Sequence, residues 1–103
     1  MKRSQIYLKA WRKLRGLTQE QLAGRLDTTA ATISRWETGK APWDINDLNG
    51  IAYALQCDAV DLFRDPASPE GKAWRIIKGM KPDAKERATR ILEALAAEDT
   101  PAA

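Results

Sequence analysis

The chain of 103 residues has no histidine and a single cysteine, Cys57. Without histidine, the usual proton shuttle near neutral pH and the commonest zinc ligand are both missing. One cysteine can neither close an internal disulfide nor build a thiolate cluster. Apolar stretches last only a few residues, too short for a membrane-spanning helix. Residues 1–15 are basic and lack the apolar run that defines a secretory signal. No segment alternates apolar and polar residues with β-branched enrichment, so no strand is expected. No carboxylate pair in a defined pocket and no activated thiol can be read from the sequence. These absences predict a cytoplasmic chain with no metal, no cofactor and no enzymatic activity.

The length suits one compact domain rather than two. Apolar residues make up 44% and charged residues 30%, enough to bury a core beneath an ionic surface. The net charge of +3 conceals a division: residues 1–43 hold nine Lys/Arg against three Asp/Glu, and residues 44–103 hold eight against eleven. A basic part joined to an acidic part fits a chain that meets a polyanion on one face. Charge alone is explained better by a solvated basic surface, so it decides little.

Between glycine and proline punctuation the apolar residues recur three and four apart, which is helical spacing. A first helix is expected from Ile6 to Arg15, with Leu8, Trp11 and either Ala10 or Leu14 inward and Gly16 as its left-handed stop. Thr18 and Gln21 form a Thr-x-x-Gln capping box that opens the second helix. Its buried stripe is Leu22, Ala23 and Leu26, and it stops at Asp27-Thr28. Thr29 caps a third helix that runs to Thr38, with Ile33 and Trp36 inward and Gly39 closing it. Two short helices about three residues apart make a helix-turn-helix geometrically sound. A fourth helix from Asp44 or Ile45 to about Gln56 turns Leu48, Ile51, Ala52 and Leu55 inward. Asp58 caps a short fifth helix that ends at Leu62-Phe63. Beyond a linker at 65–69, helices are expected over about 69–79 and from Pro82 onward, with 100–103 as a frayed, disordered tail.

These residues carry a resemblance. Gly16-Leu17-Thr18-Gln19-Glu20-Gln21-Leu22-Ala23, then Thr32-Ile33-Ser34-Arg35-Trp36-Glu37-Thr38-Gly39-Lys40, then Leu48, Ile51, Ala52, Ala54 and Leu55 stand in the order and separations of one family. Over roughly Leu8 to Phe63 the chain resembles the phage repressor/Cro (XRE-type) helix-turn-helix family. The resemblance implies an all-α fold, a five-helix lambda-repressor-like domain over 1–64; the helical spacing beyond it gives a C-terminal two-helix extension over 65–103, a candidate for dimerisation or partner binding. Asp27 departs from the glycine that the family often has in the turn; aspartate tolerates the left-handed conformation better than most residues. The resemblance also implies a structural ion pair between Arg12 and Glu37, which would tie the first helix to the end of the third.

In such domains the third helix lies in the DNA major groove. Carried onto this chain, the base-contacting positions are Ala30, Ala31 and Arg35, with Ser34 close by. Arg35 can present its guanidinium fork to guanine O6 and N7, and an alanine can meet a thymine methyl group. So few polar readers imply that DNA shape contributes strongly to selection. The backbone-contacting positions are Thr18, Gln19, Thr29, Thr32, Thr38 and Lys40, and Lys2, Arg3 and Lys9 add long-range attraction. Plainer explanations stand beside these: the alanines as helix formers, Arg35 as a solvated charge, Thr18 and Thr29 as caps alone. Trp43 belongs either over the core beside Pro42 or at the DNA rim, with packing preferred.

Trp74, Ile77, Ile91, Leu92 and Leu95 offer more apolar surface than two helices bury between themselves. They either fold back on the first domain or build a two-fold interface, and the interface is preferred because the five-helix core is complete without them. The function expected is a sequence-specific regulator of transcription, a repressor of a prophage or bacterial operon. It would bind duplex DNA, typically a palindromic operator, as a homodimer in the nucleoid, away from any membrane. One alternative is an antitoxin that represses its own operon and grips a toxin through the C-terminal helices. A second is a protein-interaction module that has lost DNA binding; acidic or bulky outward residues would mark it, and Arg35 with two alanines argues against it.

Overall fold

A computed structural model describes residues 6–99; Lys2, Arg3 and the tail at 100–103 lie outside the described residues. The helices are α1 (Leu8–Leu14), α2 (Gln19–Leu26), α3 (Ala30–Thr38), α4 (Ile45–Ala54), a 3₁₀ helix (Ala59–Phe63), α5 (Pro69–Lys78) and α6 (Pro82–Asp99). No strand occurs among the described residues, and none of their helices is long and apolar enough to cross a membrane. The chain is all-α. It divides into two compact units, one ending at Gly71 and the other starting at Lys72.

Local chemistry accounts for most helix boundaries in the first unit. At α2, Thr18 and Gln21 form the reciprocal box: the Gln21 N–H donates to Thr18 Oγ1 at 3.0 Å, and the Thr18 N–H donates to Gln21 Oε1 at 2.8 Å. Asp44 and Asp47 repeat the device at α4, at 2.8 and 2.9 Å. Two boundaries depart from their sequence positions. The Tyr7 N–H donates to the Leu62 carbonyl at 2.7 Å, so α1 starts at Leu8 rather than Ile6. The fourth helix stops at Ala54, because Gln56 enters the left-handed region at φ 56°. The fifth segment winds as 3₁₀, with Asp61 N–H on the Asp58 carbonyl at 2.9 Å and Arg64 N–H on that of Asp61 at 3.0 Å.

The core of the first unit joins Leu8 and Trp11 of α1, Leu22 and Ala23 of α2, Ile33 of α3, Leu48, Ile51, Ala52 and Leu55 from α4 and its end, and Leu62. Trp43 packs at its margin, edge-on to Phe63 with ring centroids 6.0 Å apart. Trp11 fastens the 3₁₀ helix by donating its indole N–H to the carbonyls of Asp61 at 3.1 Å and Arg64 at 3.2 Å.

The segment read as a linker is a tight turn. The Ser68 hydroxyl donates to the Asp65 carbonyl at 2.6 Å and accepts the Gly71 N–H at 3.0 Å. Gly71 is buried there, and a β-carbon on it would collide with the Asp65 carbonyl oxygen. In the second unit the longest helix, α6, buries none of its residues.

Candidate nucleic-acid interface

Presenting a helix to DNA requires a sharp turn before it and a rigid backing behind it. The turn is made by Asp27, which ends α2 at φ 55° and ψ 45°, the left-handed conformation the sequence demanded of it. The Thr28 N–H returns to the Ala23 carbonyl at 3.0 Å and satisfies an otherwise open helix end. Thr29 then caps α3, its Oγ1 accepting the Thr32 N–H at 3.2 Å and lying 3.1 Å from the Thr32 hydroxyl. Gly39 closes α3 at φ 74°.

The backing has two parts. Ile33 is fully buried, and half-buried Trp36 packs on the core while its indole N–H donates to the Pro42 carbonyl at 3.3 Å. The second part is ionic. Arg12 Nε lies 2.6 Å from Glu37 Oε2 and its Nη2 donates to Oε1 at 3.2 Å, with the two side chains only 10% and 4% exposed. Arg12 Nη1 donates to the Leu17 carbonyl at 2.9 Å, and the Gln19 amide donates to Glu37 Oε1 at 3.1 Å. This network links α1, the start of α2 and the end of α3, and it gives both buried charges hydrogen-bonded partners.

With Ile33, Trp36 and Glu37 turned inward, α3 exposes Ala31, Arg35 and Thr38 along one stripe, while Ala30, Thr32 and Ser34 are half-buried beside it. Exposed Thr18, Thr29 and Lys40 and half-buried Gln19 lie at the ends of α2 and α3. At two of these positions a side-chain donor is already engaged. The Thr38 hydroxyl donates back to the Ser34 carbonyl at 2.9 Å, and Gln19 is held to Glu37.

Three of the cations in this part of the chain have structural partners. Of the cations between residues 6 and 43, Arg12 serves the ion pair, and two more serve the end of α4. Arg15 donates to the carbonyls of Leu55 at 2.7 Å and Gln56 at 3.2 Å while its guanidinium sits 5.4 Å from the Trp11 ring centroid. Arg25 donates to the Ala54 carbonyl at 3.0 Å. The cations remaining in that segment are Lys9, Lys13, Arg35 and Lys40, all exposed. Sequence reading missed the roles of Arg15 and Arg25, since neither bond leaves a spacing signal.

The family model described as helix-turn-helix matches residues 8–62, the span from the first residue of α1 to the 3₁₀ helix. Two solved structures are similar. That of the transcriptional regulator BswR has a TM-score of 0.73 and 22% identity, covering 91% of this chain and 96% of that one. That of the clp gene regulator ClgR from Corynebacterium glutamicum has a TM-score of 0.54 and 22% identity, covering 84% and 83%. No curated protein matches the chain.

Proposed function

The chain belongs to the XRE-type helix-turn-helix family, and from that premise we propose that it is a sequence-specific, duplex-DNA-binding regulator of transcription, a repressor of a prophage or bacterial operon. The observation that carries this reading is the exposed stripe Ala31, Arg35 and Thr38 on a helix whose other side is locked by Ile33 and the Arg12–Glu37 pair. The fold likeness to two transcription regulators supports it.

In this reading α3 enters the major groove. Arg35 donates two hydrogen bonds to a guanine edge, and Ala31, with Ala30 and Ser34 beside it, allows close approach and apolar contact with thymine methyl groups. The N-terminal ends of α2 and α3 face phosphates, where open N–H groups and the helix dipole favour an anion. The Thr18 and Thr29 hydroxyls accept from backbone N–H groups within their caps, which leaves the hydroxyl proton of Thr18 available to a phosphate oxygen. Gln19 retains a second amide hydrogen for the same purpose, and Thr32, Lys40 and Thr38, its hydroxyl turned from the Ser34 carbonyl to a phosphate, complete the backbone contacts. One recognition helix covers only a few base pairs, so the regulator acts as a homodimer on a palindromic operator.

Selection of genomic fragments followed by footprinting and a salt series tests this. Arg35→Ala is expected to lose about 1–3 kcal/mol of discrimination at one base position. Lys40→Ala is expected to weaken all sequences alike and to lower the salt dependence by about one counterion. Equal affinity for every sequence, unchanged by Arg35→Ala, would defeat the reading.

A further inference from the structure

The helix α6 is 18 residues long and fully buries none of its residues; Ala84 and Ala88 are half-buried, and Ile91, Leu92 and Leu95 are left 61%, 45% and 55% exposed. Helices of this kind are held mainly by packing of an apolar face, and their own propensity sustains them only marginally. Two asymmetries along α6 indicate what covers that face.

The first is size. Ala84, Ala88, Ile91 and Leu95 recur at alternating spacings of four and three, the pattern of a helix–helix seam. The two nearer the start are small and the two nearer the end are large. The second is charge. From Pro82 to Arg90 the helix carries Lys85, Arg87 and Arg90, and its two carboxylates are paired within the helix, Asp83 with Arg87 and Glu86 with Arg90, each at 3.3 Å. From Ile91 to Asp99 it carries Glu93, Glu98 and Asp99 and no cation. For a lone helix this ending is unfavourable, because carboxylates in the last turn meet the negative end of the macrodipole.

A parallel second copy would set alanine against alanine and carboxylates against carboxylates. An antiparallel copy reverses both faults. Ala84 and Ala88 then oppose Leu95 and Ile91 of the second chain. The cationic half lies beside the acidic half, and the last-turn carboxylates approach the positive end of the other helix.

We propose that α6 is an antiparallel homodimerisation helix whose Ile91–Leu95 face is covered by α6 of a second copy. This deepens the homodimer part of the reading above. Its test measures association without DNA, so failure of DNA binding and failure of this interface are separate results. Two single helices bury less than the roughly 1,600 Å² of a standard interface, so micromolar association is expected.

Sedimentation of the full chain between about 1 and 100 µM, the range where such an interface fills, should show a monomer–dimer equilibrium. Ile91→Glu should raise the dissociation constant about a hundredfold or more, because each dimer loses two apolar contacts and gains two buried charges. Denaturant unfolding followed by tryptophan fluorescence should keep the native midpoint, which confirms that the first unit, with Trp11, Trp36 and Trp43, remains folded. Orientation is read in a Cys57→Ala background by mixing differently tagged Ala84→Cys and Leu95→Cys chains under oxidation. A dominant mixed cross-link between positions 84 and 95 supports the proposal. Dominant self-cross-links at either position overturn it in favour of parallel pairing. A native chain that stays monomeric throughout also overturns it and leaves the face to a different partner.

Discussion

The core of the first unit and the helices of the second put the same residue types to opposite uses. In the first, Leu8, Leu22, Ile33, Ile51, Leu55 and Leu62 are fully buried; in the second, Ile76, Ile91, Leu92 and Leu95 face outward. Arginines diverge in the same way. Arg12, Arg15 and Arg25 reach across the first unit to bind a carboxylate or open carbonyls, 25 to 41 residues away in sequence. Arg87 and Arg90 of α6 reach one turn back along their own helix. A unit whose charges close its own helix ends is stabilised from within. A helix such as α6, whose two ion pairs run along its own face and whose large apolar groups stay outside, depends on what it meets.

The contrast is broken most severely at Arg12. Arg12→Ala leaves the Glu37 carboxylate buried with only Gln19 beside it, and breaking one side of a buried pair costs about 3–5 kcal/mol. For a unit of this size that is a large share of the total stability. Denaturant unfolding followed by tryptophan fluorescence should show the midpoint falling sharply. A loss below about 1 kcal/mol, the range of surface pairs, would mean that the network does not hold the first unit together.

Gly71→Ala comes next, at the last residue of the first unit. The added β-carbon meets backbone, the Asp65 carbonyl, rather than a side chain that can swing away. A cost of about 1–3 kcal/mol is expected, as for overpacking elsewhere. The same measurement checks it. Gly24→Ala serves as the control, since nothing lies within 4 Å of a β-carbon there, and it should be neutral or mildly stabilising because alanine is the better helix former.

Which parts of this contrast could be read beforehand is itself physical. Caps and turns are written locally: Thr18 with Gln21, Thr29, Asp27 and Gly39 each sit where a helix must begin or end, and the structure ends its helices there. The inward stripe of α3 follows from helical period alone. The Arg12–Glu37 contact came instead through family resemblance, because no rule of spacing links positions 25 residues apart. For Arg15 and Arg25 neither period nor resemblance points to the end of α4; both side chains are exposed, and only their hydrogen bonds escape the sequence. The turn at 65–69 read as a linker because proline and serine mark flexible connections as readily as tight ones. Its close packing shows only when the Asp65 carbonyl is seen beside Gly71. Among the interface positions, sequence supplied residue type and structure supplied exposure. Thr38 and Gln19 show how far these differ, since both have hydrogen bonds that residue type does not reveal.

Arg15→Ala tests a smaller version of the first unit's device. It removes the donor to the carbonyl of buried Leu55 and the cation over Trp11. A loss of about 1–2 kcal/mol is expected from the unsatisfied carbonyl and the aromatic contact together. Hydrogen exchange should locate the loosening at the end of α4.

The smallest effect is expected at Arg87, and its smallness sharpens the comparison. Arg87 and Asp83 are 64% and 73% exposed, and their 3.3 Å contact lies along one helix face. Such a pair contributes about 0.3–0.5 kcal/mol, and salt weakens it further. Arg87→Ala should therefore leave the unfolding of the first unit unchanged and lower the helicity of α6 only slightly. If α6 owed its helix to its own side-chain pairs, removing one of two would matter more than that, and dilution would not matter at all. If a second copy holds it, helicity should fall on dilution in the native chain and in Arg87→Ala alike. Circular dichroism across a concentration series separates the two cases: a concentration-dependent signal, nearly the same in both chains, shows that the stability of α6 resides between molecules, whereas that of the first unit resides within one.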